Sequence, residues 1–274
     1  MNVRRFLPQL KTALLYGLLF MFLTPFLLII MNSFKSTQQF VENPLSLPTG
    51  IEFGNYASAF DNMDFLNGFM NSFIITVGAV LLILFFSSMT GYLFVRFKWR
   101  VNGILFYAML ASLALPFQVL MIPLVMLYGN LNLLDSKVTL LFMYLGFGVP
   151  FGVFTFHGFI KGIPFELEES AFIEGSSRVR TFFQIVLPLL RPVFVTLIVL
   201  DVLWIWNDYL LPSLVLLSPA HKTLPLSTYN FFSSYSVDYA PLMAGLIMTI
   251  IPVLIMYLLL QKQIIKGITE GALK

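Results

Sequence analysis

The 274-residue chain contains no cysteine. That excludes a disulfide framework, a thiolate zinc site and a cysteine nucleophile. It has two histidines, His157 and His221, far apart and without a carboxylate at ligand spacing, so no metal site is expected. Charge is scarce: Asp, Glu, Lys and Arg make up 11% of the residues, against about 25% in soluble domains. Too few polar side chains remain to cover a globular surface in water. No Gly-x-x-x-x-Gly-Lys-Ser/Thr phosphate loop occurs, so no ATP site of that kind is expected here. No histidine pair or serine elbow supports an intramembrane enzyme, and no catalytic residue is assigned. The net charge of +3 does not point to nucleic acid, because the positions of the cations explain it better.

What the chain has instead is apolar length, with 58% hydrophobic and 16% aromatic residues. A helix rises about 1.5 Å per residue, so roughly 20 residues cross a hydrocarbon core of about 30 Å. Six stretches qualify, at 12–31, 68–95, 101–128, 138–160, 193–217 and 240–260. The predicted fold is all-α, a polytopic membrane protein of six transmembrane helices forming one transmembrane domain over 1–274. The first stretch follows Arg4, Arg5 and Lys11. It is too long for a signal-peptide core, and no small-residue cleavage site follows it, so it is read as a retained helix.

Lys and Arg set the orientation. With the N-terminus inside, the inner segments hold thirteen of the 16 cations, including Arg96, Lys98, Arg100, Lys161, Arg178, Arg180 and Arg191. Only Lys35, Lys137 and Lys222 lie outside. Both termini are therefore expected in the cytoplasm. Two outer loops, about 32–67 and 218–239, read either as docking surfaces or as ordinary solvated connections.

The inner loop 161–191 is too polar for lipid and too patterned for a slack linker. Pro164 is suited to a helix start. Glu166, Glu168 and Glu169 would lie near the positive end of that helix dipole. Gly175 is a natural stop. Ser176 or Ser177 can cap a second helix with Phe182, Phe183, Ile185 and Val186 on its apolar face, ended by Pro188 and Pro192. From these rules alone, a helix–glycine–helix elbow and a surface hairpin of no special purpose are equally good descriptions.

Glu169-Ser170-Ala171, then Gly175, then Ile185-Val186-Leu187-Pro188 resembles the EAA loop of ABC importer permeases. That pattern is Glu-Ala-Ala, three residues, Gly, nine residues, Ile, any residue, Leu-Pro. The chain departs from it at Ser170, where alanine is usual, and at Glu174, where the sugar-importer branch commonly has aspartate. Asn71-Ser72, Trp206-Asn207-Asp208-Tyr209 with Pro212, and the ending from Gln261-Lys262 to Gly271-Ala272 are similar to the smaller permease of maltose-type importers.

The resemblance implies a division of labour. The elbow is a coupling helix seated on a cytoplasmic ATPase dimer, which binds ATP and Mg²⁺ and drives alternating access. A second permease completes the pathway, and an extracytoplasmic solute-binding protein delivers a carbohydrate. This chain binds no cofactor of its own. Glu168, Glu169, Ser170, Ala171, Gly175, Ile185, Leu187 and Pro188 are the implied coupling residues, with the tail 267–274 as a secondary ATPase contact. The substrate itself is not legible; sugars and polyols both fit.

Asp201 and Asp208 are the acids that fall within a span. From Pro192 they would lie about 13 and 24 Å along a continuous helix, on one face with Trp204 and Asn207. A carboxylate in lipid is costly, so that face should meet protein or water. Asp and Asn suit sugar hydroxyls and Trp suits a sugar ring; a structural hydrogen bond to the partner permease is the favoured reading, because membrane polar residues often hold helices together. An ion-coupled secondary transporter using Asp201 and Asp208 is the alternative function. Such carriers are usually longer and built of repeats. Gly148 and Gly152 form a Gly-x-x-x-Gly pair that permits close helix packing, although Pro150 between them suits local flexing just as well.

Overall fold

The computed structural model describes the backbone of residues 3–232 and 237–272, and the side chains of 11–232, 237–259 and 261. In chain order the helices are α1 (Val3–Ser33), α2 (Thr37–Glu42), α3 (Gly54–Asn62), α4 (Phe65–Arg96), α5 (Arg100–Ser112), α6 (Phe117–Asn130), α7 (Lys137–Lys161), α8 (Glu166–Ile173), α9 (Arg178–Thr181), α10 (Leu187–Leu189), α11 (Arg191–Trp206), α12 (Leu210–Val215), α13 (Leu224–Ser227) and α14 (Tyr239–Ala272). A wider π turn, Phe182–Val186, joins α9 to α10. Among the described residues the sole β pairing is an isolated bridge between Phe232 and Val237.

Four helices are long and apolar enough to cross a membrane: Lys11–Ser33, Phe65–Arg96, Lys137–Lys161 and Tyr239–Leu259. Two bent pairs, α5 with α6 (105°) and 178–189 with α11 (73°), raise the number to six if each pair is one span. The third expected span, 101–128, is thus not one helix. Its break falls at 113–116, where Pro116 has no N–H to donate and disfavours helical backbone at Leu115. The fifth, expected at 193–217, begins at Arg191 and stops at Trp206, and a separate short helix follows.

The chain divides into two compact units, 1–66 with 227–252 and 67–226 with 253–274. In the first unit the loop after α1 is built rather than slack. Ser33 Oγ bonds Tyr56 Oη at 2.8 Å, and Asn55 donates to the carbonyls of Ser33 and Lys35 at 2.8 Å each. Lys35 is fully buried, its ammonium donating to the carbonyls of Asn43 and Pro44 at 3.1 and 3.0 Å. Those carbonyls replace the water that burial removes.

In the second unit α4, α7 and α11 share a core that includes Ile75, Ile83, Leu140, Tyr144, Phe156, Ile160, Val186 and Leu197. Lipid is as apolar as leucine, so close packing and hydrogen bonds hold such helices together. Gly148 and Gly152 supply that closeness. A Cβ on them would come within 2.5 Å of Ile83 Cδ1 and 2.6 Å of Ser87 Oγ. Pro150 does not break α7 between them.

The register of these contacts gives direction. Ile83 meets Gly148, Ser87 meets Gly152, and Gly91 meets Phe156, so α4 and α7 run parallel. The intervening chain must travel back. It does so with Phe106 stacked on His157 (4.2 Å) and Phe117 against Phe147 (5.4 Å). Helix α11 runs the opposite way to α7, pairing Phe194 with Phe156 and Trp204 with Tyr144. The second unit therefore has an elbow end, holding Arg96, Ile160 and α8, and a far end, holding Asn71, Lys137 and Asp208.

Candidate functional site

The predicted elbow forms, and its corner is closed by backbone geometry. Helix α8 starts at Glu166, just after Pro164 and Phe165, with Glu166, Glu168 and Glu169 in its first turn. At its end the Ser176 N–H reaches the Ala171 carbonyl at 2.9 Å and the Gly175 N–H reaches the Phe172 carbonyl at 3.0 Å. This is the Schellman pattern, and it requires a left-handed residue, here Gly175 at φ 87°. No neighbour lies within 4 Å of a Cβ built there, so conformation rather than crowding calls for glycine. Ser177 then caps α9 by accepting the Arg180 N–H at 3.3 Å.

The second arm departs from expectation in one respect: Pro188 does not end it. Leu187 donates to the Phe182 carbonyl five residues back. The helical path continues through Pro188 to Leu189 and bends before Arg191. A wide turn absorbs the proline's missing donor and ring. Ile185 and Leu187 are half-buried and Pro188 is exposed.

The elbow is fixed to the end of α4 by a buried ionic network. Arg96 Nε donates to Glu168 Oε1 at 2.6 Å, and Tyr92 Oη donates to Glu168 Oε2 at 2.7 Å. Arg96 Nη2 also donates to the Ile163 carbonyl at 3.0 Å, and its guanidinium lies over Phe165. The Arg96 and Glu168 side chains are 9% and 0% exposed. Arg178 adds a second link, over the rings of Phe97 (4.9 Å) and Phe172 (5.6 Å).

Burial sorts the expected coupling residues into two sets. Glu168 and Ala171 point inward, so Glu168 does not offer its carboxylate to a partner. Glu169, Ser170 and Gly175 face outward, joined by Ile173 at 88% exposure and Val179 at 67%. The Ser170 hydroxyl is turned back onto the Glu166 carbonyl. Side chains of the tail 267–274 lie outside the described residues.

The expected polar face of Asp201, Trp204, Asn207 and Asp208 is not one helix face, because α11 ends between the two acids. Asn207 donates to the Leu203 carbonyl at 2.7 Å, and Asp208 Oδ1 accepts the N–H groups of Leu210 and Leu211 at 3.0 and 3.4 Å. Such local bonds compete with continued helix. Asp208 Oδ2 accepts from Tyr144 Oη at 3.0 Å, and the Tyr144 ring meets Trp204 edge to face at 5.6 Å. Trp204 and Asn207 are exposed, whereas Asp201 is 4% exposed and closed to solute. Its Oδ2 accepts no hydrogen bond among the described residues.

The far end is held by side chains gripping backbone. Asn71 donates to the Ala220 and Lys222 carbonyls at 2.9 Å each, accepts from Lys137 Nζ, and is followed by Ser72, whose Oγ accepts the Leu224 N–H at 2.8 Å. Asp135 Oδ1 accepts from the Leu217 N–H, the Ser218 N–H and Ser218 Oγ at 2.9, 2.9 and 3.0 Å and faces His221 Nδ1 at 3.1 Å. The Ser218 backbone bond leads in lowering the Asp135 carboxyl to about 2, against partial desolvation. Among the described residues no group of three or more His, Asp or Glu could hold a metal ion.

Sequence reasoning missed Tyr92 and Tyr144 and assigned Arg96 only to the orientation rule. A signal existed for the first pair: Tyr92 and Arg96 are four residues apart on one helix, hence on one face. Nothing in the sequence linked that face to Glu168.

Comparison with known proteins supplies the family. The model of the binding-protein-dependent transport system inner membrane component matches residues 83–269, which include the elbow. The probable starch degradation products transport system permease protein AmyC of Thermoanaerobacterium thermosulfurigenes is 44% identical, over 93% of this chain and 92% of that protein. The multiple sugar-binding transport system permease protein MsmG of Streptococcus mutans is 34% identical over 92% of each. The fold is shared with a chain in the crystal structure of a bacterial ABC transporter involved in the import of the acidic polysaccharide alginate, at TM-score 0.82 and 21% identity over 96% of this chain and 98% of that one. With its several apolar helices, this protein is a multi-pass membrane permease belonging to the family of binding-protein-dependent transport system inner membrane components.

Proposed function

We propose that this chain is the transmembrane subunit of an ABC importer for carbohydrates, working by alternating access. In this reading it forms one permease domain of six spans, with each bent helix pair counting as one crossing. The elbow end, rich in Lys and Arg, faces the cytoplasm together with both termini. A second permease completes the pathway, an extracytoplasmic solute-binding protein delivers the sugar, and a cytoplasmic ATPase dimer binds ATP and Mg²⁺. The chain itself is non-catalytic and holds no cofactor.

The observation that carries the reading is the elbow. A capped corner with the EAA spacing presents Glu169, Ser170, Ile173 and Val179 outward while its other face is bonded into the chain. A rigid, partly apolar knob on an anchored stem suits a cleft on a partner. Relatives named for starch degradation products and multiple sugars support a carbohydrate cargo. Trp204, braced by Tyr144 with a face exposed, suits a sugar ring, and Asn207 suits its hydroxyls. An ion-coupled carrier through Asp201 and Asp208 has less support, since both Asp208 oxygens already accept hydrogen bonds.

The test is purification of the tagged chain from mild-detergent membranes, with co-purifying proteins identified by mass spectrometry. An ATPase and a second permease are expected. A chain recovered alone or as a homodimer contradicts the proposal.

A further inference from the structure

We infer that Tyr92, Arg96 and Glu168 act as a positioning strut, carrying displacement of the elbow into α4 as a rigid push rather than through a flexible hinge. The inference rests on the coupling role proposed above and goes beyond it by naming the residues inside this chain that transmit the motion.

Besides this network the elbow meets α4 through Arg178 over Phe97 and Phe182 beside Tyr92, contacts without the directionality of an ion pair. Its outward side chains face away from the bundle, and its second arm passes into α11 through a wide turn and a 73° bend. The other route is short and stiff. Glu168 lies in the first turn of α8 with its carboxylate shared between Arg96 Nε at 2.6 Å and Tyr92 Oη at 2.7 Å; Glu168 and Tyr92 are buried and Arg96 is largely so. Arg96 also holds the Ile163 carbonyl, so one guanidinium grips both α8 and the segment leading into it. Charge-assisted bonds of this length are the strong, directional kind.

Above the strut α4 is itself in register with α7. Gly91, one residue before Tyr92, would place a Cβ 3.0 Å from Phe156 Cβ, and the Gly148 and Gly152 contacts continue that seam toward the far end. A push on Arg96 therefore reaches α4 and α7 as a pair. The chemistry of the network also fits a transmitter better than a simple stabiliser. A buried ion pair contributes little net stability over apolar packing, while the Arg96 bonds to Glu168 and to the Ile163 carbonyl set where α8 stands against α4.

The chain's lack of cysteine gives a direct test in the assembled complex. Leu131→Cys, at an exposed position four residues before Asp135 of the far end, is labelled with a membrane-impermeant maleimide with and without ATP plus vanadate, which traps the ATPase. Labelling is read on this chain alone. With the strut intact, trapping should change the labelling rate. Glu168→Gln, Arg96→Lys and Tyr92→Phe should trap as much nucleotide yet lose most of that change, by a factor within the roughly 5- to 150-fold range of coupling between sites. The exchanged pair Arg96→Glu with Glu168→Arg should recover part of it.

Equal labelling changes in all three variants and the parent overturn the strut. If Glu168→Gln does not assemble, Tyr92→Phe decides, since it removes a single hydroxyl. If the parent traps nucleotide without any change in labelling at position 131 while the variants behave identically, the coupling reading itself fails, which separates the two outcomes.

Discussion

The two ends of the second unit are tied by different means. At the elbow end, Arg96, Glu168 and Tyr92 form one compact network in which a charge is sealed from solvent. At the far end, Asn71, Ser72 and Asp135 spread their bonds over the backbone of Leu217, Ser218, Ala220, Lys222 and Leu224. A concentrated anchor depends on every member, because loss of one strands the others. A distributed anchor sheds one bond with small effect. The first design suits a part that must keep one geometry while it is pushed, the second a part that only has to stay closed.

The largest effect should come from the elbow end. Arg96→Ala leaves the Glu168 carboxylate buried without its cation, which costs about 3–5 kcal/mol and should show as a sharp fall in the melting temperature of the purified complex. Replacing both Arg96 and Glu168 with leucine should cost less than the single change, so the double variant separates stability from coupling. A smaller loss is expected along the glycine seam. Gly152→Leu overpacks against Ser87 and Ile83, at about 1–3 kcal/mol. Ser87→Gly should restore part of the loss for Gly152→Ala, read by the same melt.

Gly175→Ala forces a side chain into left-handed backbone, which costs roughly 1–2 kcal/mol. Because no neighbour crowds the site, Gly175→Asn should be milder than alanine, whereas crowding would rank them the other way. The smallest effect belongs to the far end. Asp135→Asn should speed amide exchange at Leu217 and Ser218 and leave ATPase binding unchanged. A carboxyl held at about 2 contributes above the ordinary carboxylate range and is lost only as pH falls toward 2. Exchange at those two amides should therefore show no acid-triggered opening between pH 7 and 5.

The sequence made the elbow legible because its signals are local. Proline, a run of acids, glycine and serine each act within a turn of their own position, and all four do so here. The long apolar helices were legible for the same reason, through composition over twenty residues. What stayed hidden depends on distant partners. Glu168 carries the same helix-start signal as Glu169, yet one is buried and the other exposed, and only the arrival of Arg96 from 72 residues away decides which. The break after Trp206 was hidden differently. Asp208 read as an acid within a span, but it takes the Leu210 and Leu211 amides for itself and ends the helix. The bend at Pro116 was readable in principle, since proline in an apolar run marks a break; the continuous hydropathy on both sides masked it.

The central claim is that the outward face of the elbow seats on a separate ATPase. It is tested most directly by single cysteines in the cysteine-free chain, at Glu169 and Ile173 on the exposed face and at Ala171 on the buried one, crosslinked in native membranes with a short thiol-to-amine reagent. The account predicts a crosslinked ATPase subunit from Glu169→Cys and Ile173→Cys and none from Ala171→Cys. Absence of an ATPase adduct at both exposed positions, with the chain present in the membrane and labelled there by a simple maleimide, would contradict it.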